Sequence, residues 1–118
     1  MKRMRHNMNL DNEPFCRIKD GSKTIELRLN DEKRKLLKEN DLIEFTNRTT
    51  LEKIVVKIVG LYKYSSFDEL YKHFDKISIG YDKDDVANPK DMEKYYSKEE
   101  QDKYGVVGIE IRMITERK

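Results

Sequence analysis

Residues 21–29 read Gly21-Ser22-Lys23-Thr24-Ile25-Glu26-Leu27-Arg28-Leu29, and their reading decides the fold. A glycine closes a helix and a strand follows. Side chains alternate across a strand, so Ile25, Leu27 and Leu29 share one face, while Thr24, Glu26 and Arg28 share the other. Three aliphatics are committed to a core. An acid and a base stand side by side opposite it. A polar face this ordered, next to a lysine and a tight turn, suits a small polar ligand or a nucleic-acid phosphate.

On the N-terminal side, a short strand is expected near 4–9. Asp11 reads as an N-cap with Pro14 tolerated in the first turn, Phe15 and Ile18 sit three apart, and Gly21 supplies a left-handed stop. The helix therefore spans 12–20. On the C-terminal side, Asn30-Asp31 caps a second helix over 32–38, with Leu36 and Leu37 inward and Arg34 outward or toward the site. Asn40 tolerates the positive φ of the turn that follows. Residues 42–46 form a strand with Ile43 and Phe45 on one face, and residues 47–50 a hairpin-like loop. Residues 52–63 are apolar at nearly every position, as in a strand covered on both faces, with Gly60 marking a bulge or bend.

Ser66-x-x-Glu69 is a capping box, and Phe67, Leu70, Tyr71 and Phe74 recur at helical spacing behind it. Residues 75–94, with Gly80, Pro89 and many polar residues, form a loop with a turn of helix. Ser97-x-x-Glu100 opens a last helix to Tyr104, which Gly105 ends. A final strand over 106–114 puts Val107, Ile109, Ile111 and Met113 on one face. Five strands with short helices between them, and no long crossovers, predict a small closed or half-closed barrel.

Bulk properties narrow the function. A chain of 118 residues fits one domain, 1–118, with a core that needs no staples. Charged residues make up 41%, yet the net charge is only +2, so a basic site must come from clustering. Cys16 is the only cysteine, which excludes an internal disulfide and multi-cysteine zinc motifs and fits a reducing cytoplasm. With His6 and His73 far apart in sequence, neither a structural metal nor a cofactor is expected. No apolar run has the length of a membrane span, and the basic start Met1-Lys2-Arg3-Met4-Arg5-His6 lacks the apolar core of a secretory signal; it reads as a first strand or a loose arm.

The run Phe15-x-x-Ile18-x-x-Gly21-x-Lys23-Thr24-Ile25-Glu26-x-Arg28, then Asn30-Asp31-x-Lys33-Arg34, then Asn40-Asp41-x-Ile43-x-Phe45, resembles the ASCH domain, the activating-signal-cointegrator homology family. The tail Tyr96-Ser97-x-Glu99-x-x-x-x-Tyr104-Gly105-Val106-Val107-Gly108-Ile109 resembles the end of the same domain, so the likeness covers residues 8–113. The resemblance implies an α+β fold, a small PUA-like β-barrel of five or six strands decorated by short helices. It also implies a cleft beside the Lys23-x-x-Glu26-x-Arg28 strand that takes RNA, a nucleotide or a nucleoside. Some small bacterial members are amidohydrolases that deacylate N4-acetylcytidine. In those, Lys23 matches a motif lysine, and a threonine stands at the position of Glu26.

Lys23, Glu26 and Arg28 are the central candidates. Arg28 would hold a phosphate or carbonyl through its planar fork, Glu26 would accept from an exocyclic amine or act as general base, and Lys23 would bind phosphate. The plain alternative is a cross-strand ion pair on a solvated sheet face. In a regular strand Lys23 points away from Glu26, so it joins the site only if the strand starts late or bends. Arg34 would complete a basic rim, or be an ordinary solvated charge. Tyr95 and Tyr96 are the stacking candidates for a base, and the remaining tyrosines read as packing. Ser97 reads as a cap. If the chain is an enzyme, Lys23, Thr24 and Glu26 carry the chemistry: water or Thr24 attacks, and Lys23 must give up its proton to act as base. A protein-interaction role in transcriptional coactivation is the third reading.

Overall fold

The computed structural model describes residues 3–114 and builds the strands in the order the patterning sets out. The strands are β1 (Arg5–Leu10), β2 (Ile25–Leu29), β3 (Leu42–Asn47), β4 (Lys53–Tyr64) and β5 (Val106–Met113). The helices are α1 (Asn12–Asp20), α2 (Phe67–Leu70) and α3 (Lys98–Tyr104), with 3-10 turns at Arg34–Leu36 and Pro89–Lys94. Met1 and Lys2 of the basic start lie outside the described residues.

The sheet order is β1-β3-β4-β5-β2, with β1 parallel to β3 and every other neighbour antiparallel. The sheet curls into a half-barrel in an α+β, PUA-like arrangement. β1 and β2 are its two edges. Gly60 falls where the β4–β5 register shifts between Ile58 and Gly60, the bulge that its lack of a side chain suggests. Gly21 adopts φ 91° and donates its N–H to the carbonyl of Ile18, closing α1 in a conformation that costs a side-chain-bearing residue energy.

Two cores lie on opposite faces of the sheet. The first joins Met8, Leu10, Ile43, Phe45, Val56, Ile58, Val107, Ile109 and Ile111 to Phe15 and Ile18 of α1. The second joins Ile25, Leu27, Leu29 and Val106 to Phe67, Leu70 and Ile79. Directly paired residues on neighbouring strands share a face. Glu26 pairs with Ile109 and Arg28 with Val107, so the two charges stand on the face of the first core. All five residues of β2 are buried, which a strand with one solvated face does not show.

Three local expectations are corrected. Residues 32–38 do not form a helix. The Asp31 side chain accepts from the N–H of Arg34, the N–H groups of Leu36 and Leu37 bond three residues back, and the chain extends at Leu37. Only Leu37 is anchored in a core, and Leu36 is 63% exposed, so nothing holds a longer helix that is marginal by itself. At Ser66 only half of the expected capping box forms, Oγ accepting from Glu69 N–H while the Glu69 carboxylate pairs with Lys72, and it opens one turn, Phe67–Leu70; the bonds that follow are mostly i to i+3, and Tyr71 and Phe74 still pack on the second core. In β4 burial alternates, with Ile54, Val56, Ile58 and Gly60 inside and the residues between them half-covered.

Candidate functional site

The gap between the two edge strands is the candidate site. The guanidinium of Arg28 spans it: Nη2 donates to the carbonyl of Asn9 on β1 at 3.0 Å, and Nε donates to Glu26 Oε2 at 2.7 Å. A cleft of about 450 Å³ opens here, bordered by the end of β1, the first turns of α1, β2, and the segment from Tyr71 to Tyr96. Residues from both faces of β2 line it, Glu26 and Arg28 from one and Leu27 from the other, so the cleft runs along the strand's free edge.

Lys23 reaches this cleft because the strand starts at Ile25 and its alternation does not bind the residues before it. The carbonyl of Ser78 accepts from both the Thr24 and Ile25 N–H groups, and Lys23 N–H donates to Arg17, which bends the entry. Lys23 Nζ lies 3.1 Å from Glu26 Oε1. Its stem passes over Gly80, where a Cβ would come within 3.3 Å of Lys23 Cδ. Each oxygen of Glu26 thus faces its own cation, in a triad whose side chains are at most 10% exposed. Burial by itself pushes the Glu26 carboxyl up; the charges of Lys23 and Arg28 outweigh it and hold the carboxyl below the usual range. Burial likewise pushes the Arg28 guanidinium down, and the Glu26 charge more than restores it.

Of the other candidates, Tyr95 and Tyr96 both line the cleft. Tyr96 stacks on Phe67 with ring centres 5.9 Å apart, which fixes one of its faces, and burial pushes its hydroxyl up. Tyr95 is half exposed, with Lys94 Nζ 5.2 Å from its ring centre. Thr24 is not brought into the cleft. It lines a separate cavity of about 340 Å³ with Ile18, Val59, Glu110 and Met113, and Lys23 borders both. Arg34 is not brought in either: the short turn leaves it on Asp31, 3.2 Å from Oδ2, near Tyr96 but off the lining.

Sequence reasoning missed the opposite wall. Tyr81 meets Tyr71 hydroxyl to hydroxyl at 3.0 Å and donates to Asp91 at 2.6 Å, all three lining the cleft. Arg17 of α1 clasps Asp82 through two bonds of 2.6 and 3.2 Å and tethers this segment over the opening. Residues 75–94 carried the signal of a loop with a turn of helix, which forms at Pro89–Lys94, but polar loop composition does not say what the loop covers. Across the whole lining, five acidic side chains (Asp11, Glu13, Glu26, Asp85, Asp91) face five basic ones (Arg17, Lys23, Arg28, Arg48, Lys94), so the cleft is balanced while its buried floor carries one excess positive charge. Among the described residues no group of three or more His, Cys, Asp or Glu is arranged to hold a metal, and no helix is long and apolar enough to cross a membrane.

Comparison with known proteins agrees with this architecture. The family model of the ASCH domain matches residues 8–115. The crystal structure of the hypothetical protein PH0355 is 35% identical at a TM-score of 0.80, over 94% of this chain and all of that one. The solution structure of protein PF0455 from Pyrococcus furiosus is 31% identical at 0.69, over 96% of this chain and all of that one. The ASCH protein of Zymomonas mobilis shares the fold at a TM-score of 0.69 and 15% identity, over 94% of this chain and 68% of that one. No curated protein matches the chain.

Proposed function

Because the chain belongs to the ASCH domain family, we propose that it is an RNA- or nucleotide-binding module whose ligand sits in the cleft beside Lys23, Glu26 and Arg28. The observation that carries this reading is the buried triad at the cleft floor. Three ionised groups are costly to remove from water, and an exposed pair would serve stability as well. A floor with one excess positive charge suits a phosphate or an electron-rich base edge, and Tyr95 at the rim supplies an exposed ring for stacking. The balanced charge of the lining favours one or two nucleotides over a long backbone track.

Deacylation of an N-acylated cytidine-type nucleoside stands second. Its support is the 3.1 Å contact of Lys23 with Glu26 inside the cleft. Against it, both Glu26 oxygens are engaged by cations and Thr24 lies outside the cleft, so water would have to attack.

Binding of a fluorescent short single-stranded RNA and of mononucleotides, measured with rising salt, tests the proposal. Affinity is expected to fall as salt rises and to drop at least tenfold in Lys23→Ala and Arg28→Ala. Unchanged binding by folded variants places the site elsewhere. Turnover of N4-acetylcytidine that is lost in Lys23→Ala would move the conclusion to the hydrolase.

A further inference from the structure

The free edge of β2 carries a second feature that side chains do not reveal. At one end of the ladder Ile111 N–H donates to the carbonyl of Thr24, and at the other Asn30 N–H donates to Gly105, each at 2.9 Å. In an antiparallel pair, hydrogen-bonded residues alternate. With Thr24 and Asn30 turned toward β5, so are Glu26 and Arg28, and Ile25, Leu27 and Leu29 turn their peptide groups outward. Ile25 N–H is taken by the carbonyl of Ser78. Leu27 N–H and C=O have no partner among the described residues. Leu27 is only 6% exposed, and it lines the cleft.

Buried backbone groups are almost always paired, because leaving one unmade forfeits its hydration. On the facing strand the corresponding need is met: Asn9 C=O accepts from Arg28. Leu27 thus offers a backbone donor and acceptor side by side on the free edge of β2, in a buried residue that lines the cleft. We propose that the Leu27 peptide edge reads the hydrogen-bonding edge of a nucleobase, its N–H donating to a ring nitrogen or carbonyl and its C=O accepting from the adjacent N–H. This rests on the nucleotide reading of the cleft and adds to it which part of the ligand enters first. The base goes to the β2 edge, and its sugar and phosphate lie outward.

The geometry argues for a planar ring over an extended peptide. Adding a strand needs several free peptide groups in a row, yet Ile25 N–H is occupied and Leu29 does not line the cleft. A single donor–acceptor pair matches what the Watson–Crick edge of a base presents. The aliphatic side chain of Ile79 and the ring of Tyr71 line the same cavity and give a flat heterocycle apolar surface.

Amide spectra of the ¹⁵N-labelled wild-type chain, titrated with the four nucleosides and with 3-methylcytidine and 3-methyluridine, provide the test, and no variant has to fold. The expected result is a downfield shift of the Leu27 amide proton at saturation, with at least tenfold weaker binding of the pyrimidines whose edge is methylated. Nucleosides that shift residues around Lys23 and Tyr95, leave the Leu27 amide in place and bind equally when methylated overturn this inference alone. No shift anywhere in the cleft with the nucleosides overturns this inference, and no shift with the corresponding 5′-mononucleotides overturns the nucleotide reading as well. An extended peptide that moves the Leu27, Leu29 and Asn9 amides together, where nucleosides do not, replaces it with strand addition.

Discussion

Changing Glu26 to glutamine keeps the side chain's shape and deletes its charge. In the native triad, Oε1 faces Lys23 at 3.1 Å and Oε2 accepts from Arg28 at 2.7 Å. An amide retains one acceptor and turns an NH₂ toward the second cation, so a donor faces a donor at a residue that is 3% exposed. Removing one partner of a buried ionic cluster costs about 3–5 kcal/mol, since the remaining charge stays buried. Against a total stability of about 5–15 kcal/mol this is a large share. At about 4 °C per kcal/mol for a domain of this size, the melting temperature falls by roughly 12–20 °C. The pH dependence gives a second reading. Glu26 is held below its ordinary value, so its stabilisation is present above the unfolded carboxylate pKa and is lost as pH falls through the lowered folded one. Urea unfolding of wild type and Glu26→Gln at neutral and at acid pH should therefore show a gap that narrows on acidification. A neutral-pH difference within about 0.5 kcal/mol, the size of an ordinary surface change, would refute the picture of a mutually dependent triad.

Asp41 accepts from Met4 N–H at 3.1 Å, Lys38 N–H at 3.1 Å and His6 Nε2 at 2.9 Å, latching β1 to the turn before β3. Asp41→Ala deprives three part-buried donors of their shared acceptor and should cost about 1–3 kcal/mol in urea unfolding. Burial pushes the Asp41 carboxyl up, but these three donors hold it below the usual range, so its contribution also fades as pH falls through that lowered value. Gly80→Ala places a Cβ 3.3 Å from Lys23 Cδ at φ +115°, so it should cost about 1–2 kcal/mol and lower nucleotide affinity by displacing Lys23; calorimetric titration beside a melting curve separates the two effects. Tyr95→Ala, at a half-exposed position, should leave stability within about 0.5 kcal/mol and weaken ligand binding by about 1–3 kcal/mol, as read by anisotropy with a short RNA.

Local patterning was enough wherever a signal and its consequence lie within a few residues. Phe15, Ile18 and Gly21 delimit α1 at Asn12–Asp20, because helical spacing and a left-handed stop act over one turn; Asp11 takes the N-cap position, but its carboxylate accepts from Arg48 and makes no side-chain cap. Asn40 marks a left-handed turn through a tolerance of the residue itself, and Gly60 marks a bulge where an added Cβ would meet the Tyr62 hydroxyl at 2.7 Å. The segment 32–38 failed because two adjacent leucines do not say which of them a core will accept; the sheet took Leu37 and left Leu36 in water. At the site, the sequence placed Glu26 beside Arg28, a direct result of period-two alternation.

The alternating strands, the helix that Ser97 caps, the stop of α1 at Gly21 and the membership of the ASCH domain family were determined by the sequence alone, because each follows from chemistry repeated at short range. The tertiary structure decided which face of β2 meets which core, that Lys23 bends back to Glu26, and that Arg17, Tyr71, Tyr81 and Asp91 come to the same cleft. Arg17 and Asp82 stand 65 positions apart, and no periodicity links residues at that separation. Their meeting depends on how the curl of the sheet carries α1 toward a loop, a property of the packing of all five strands together.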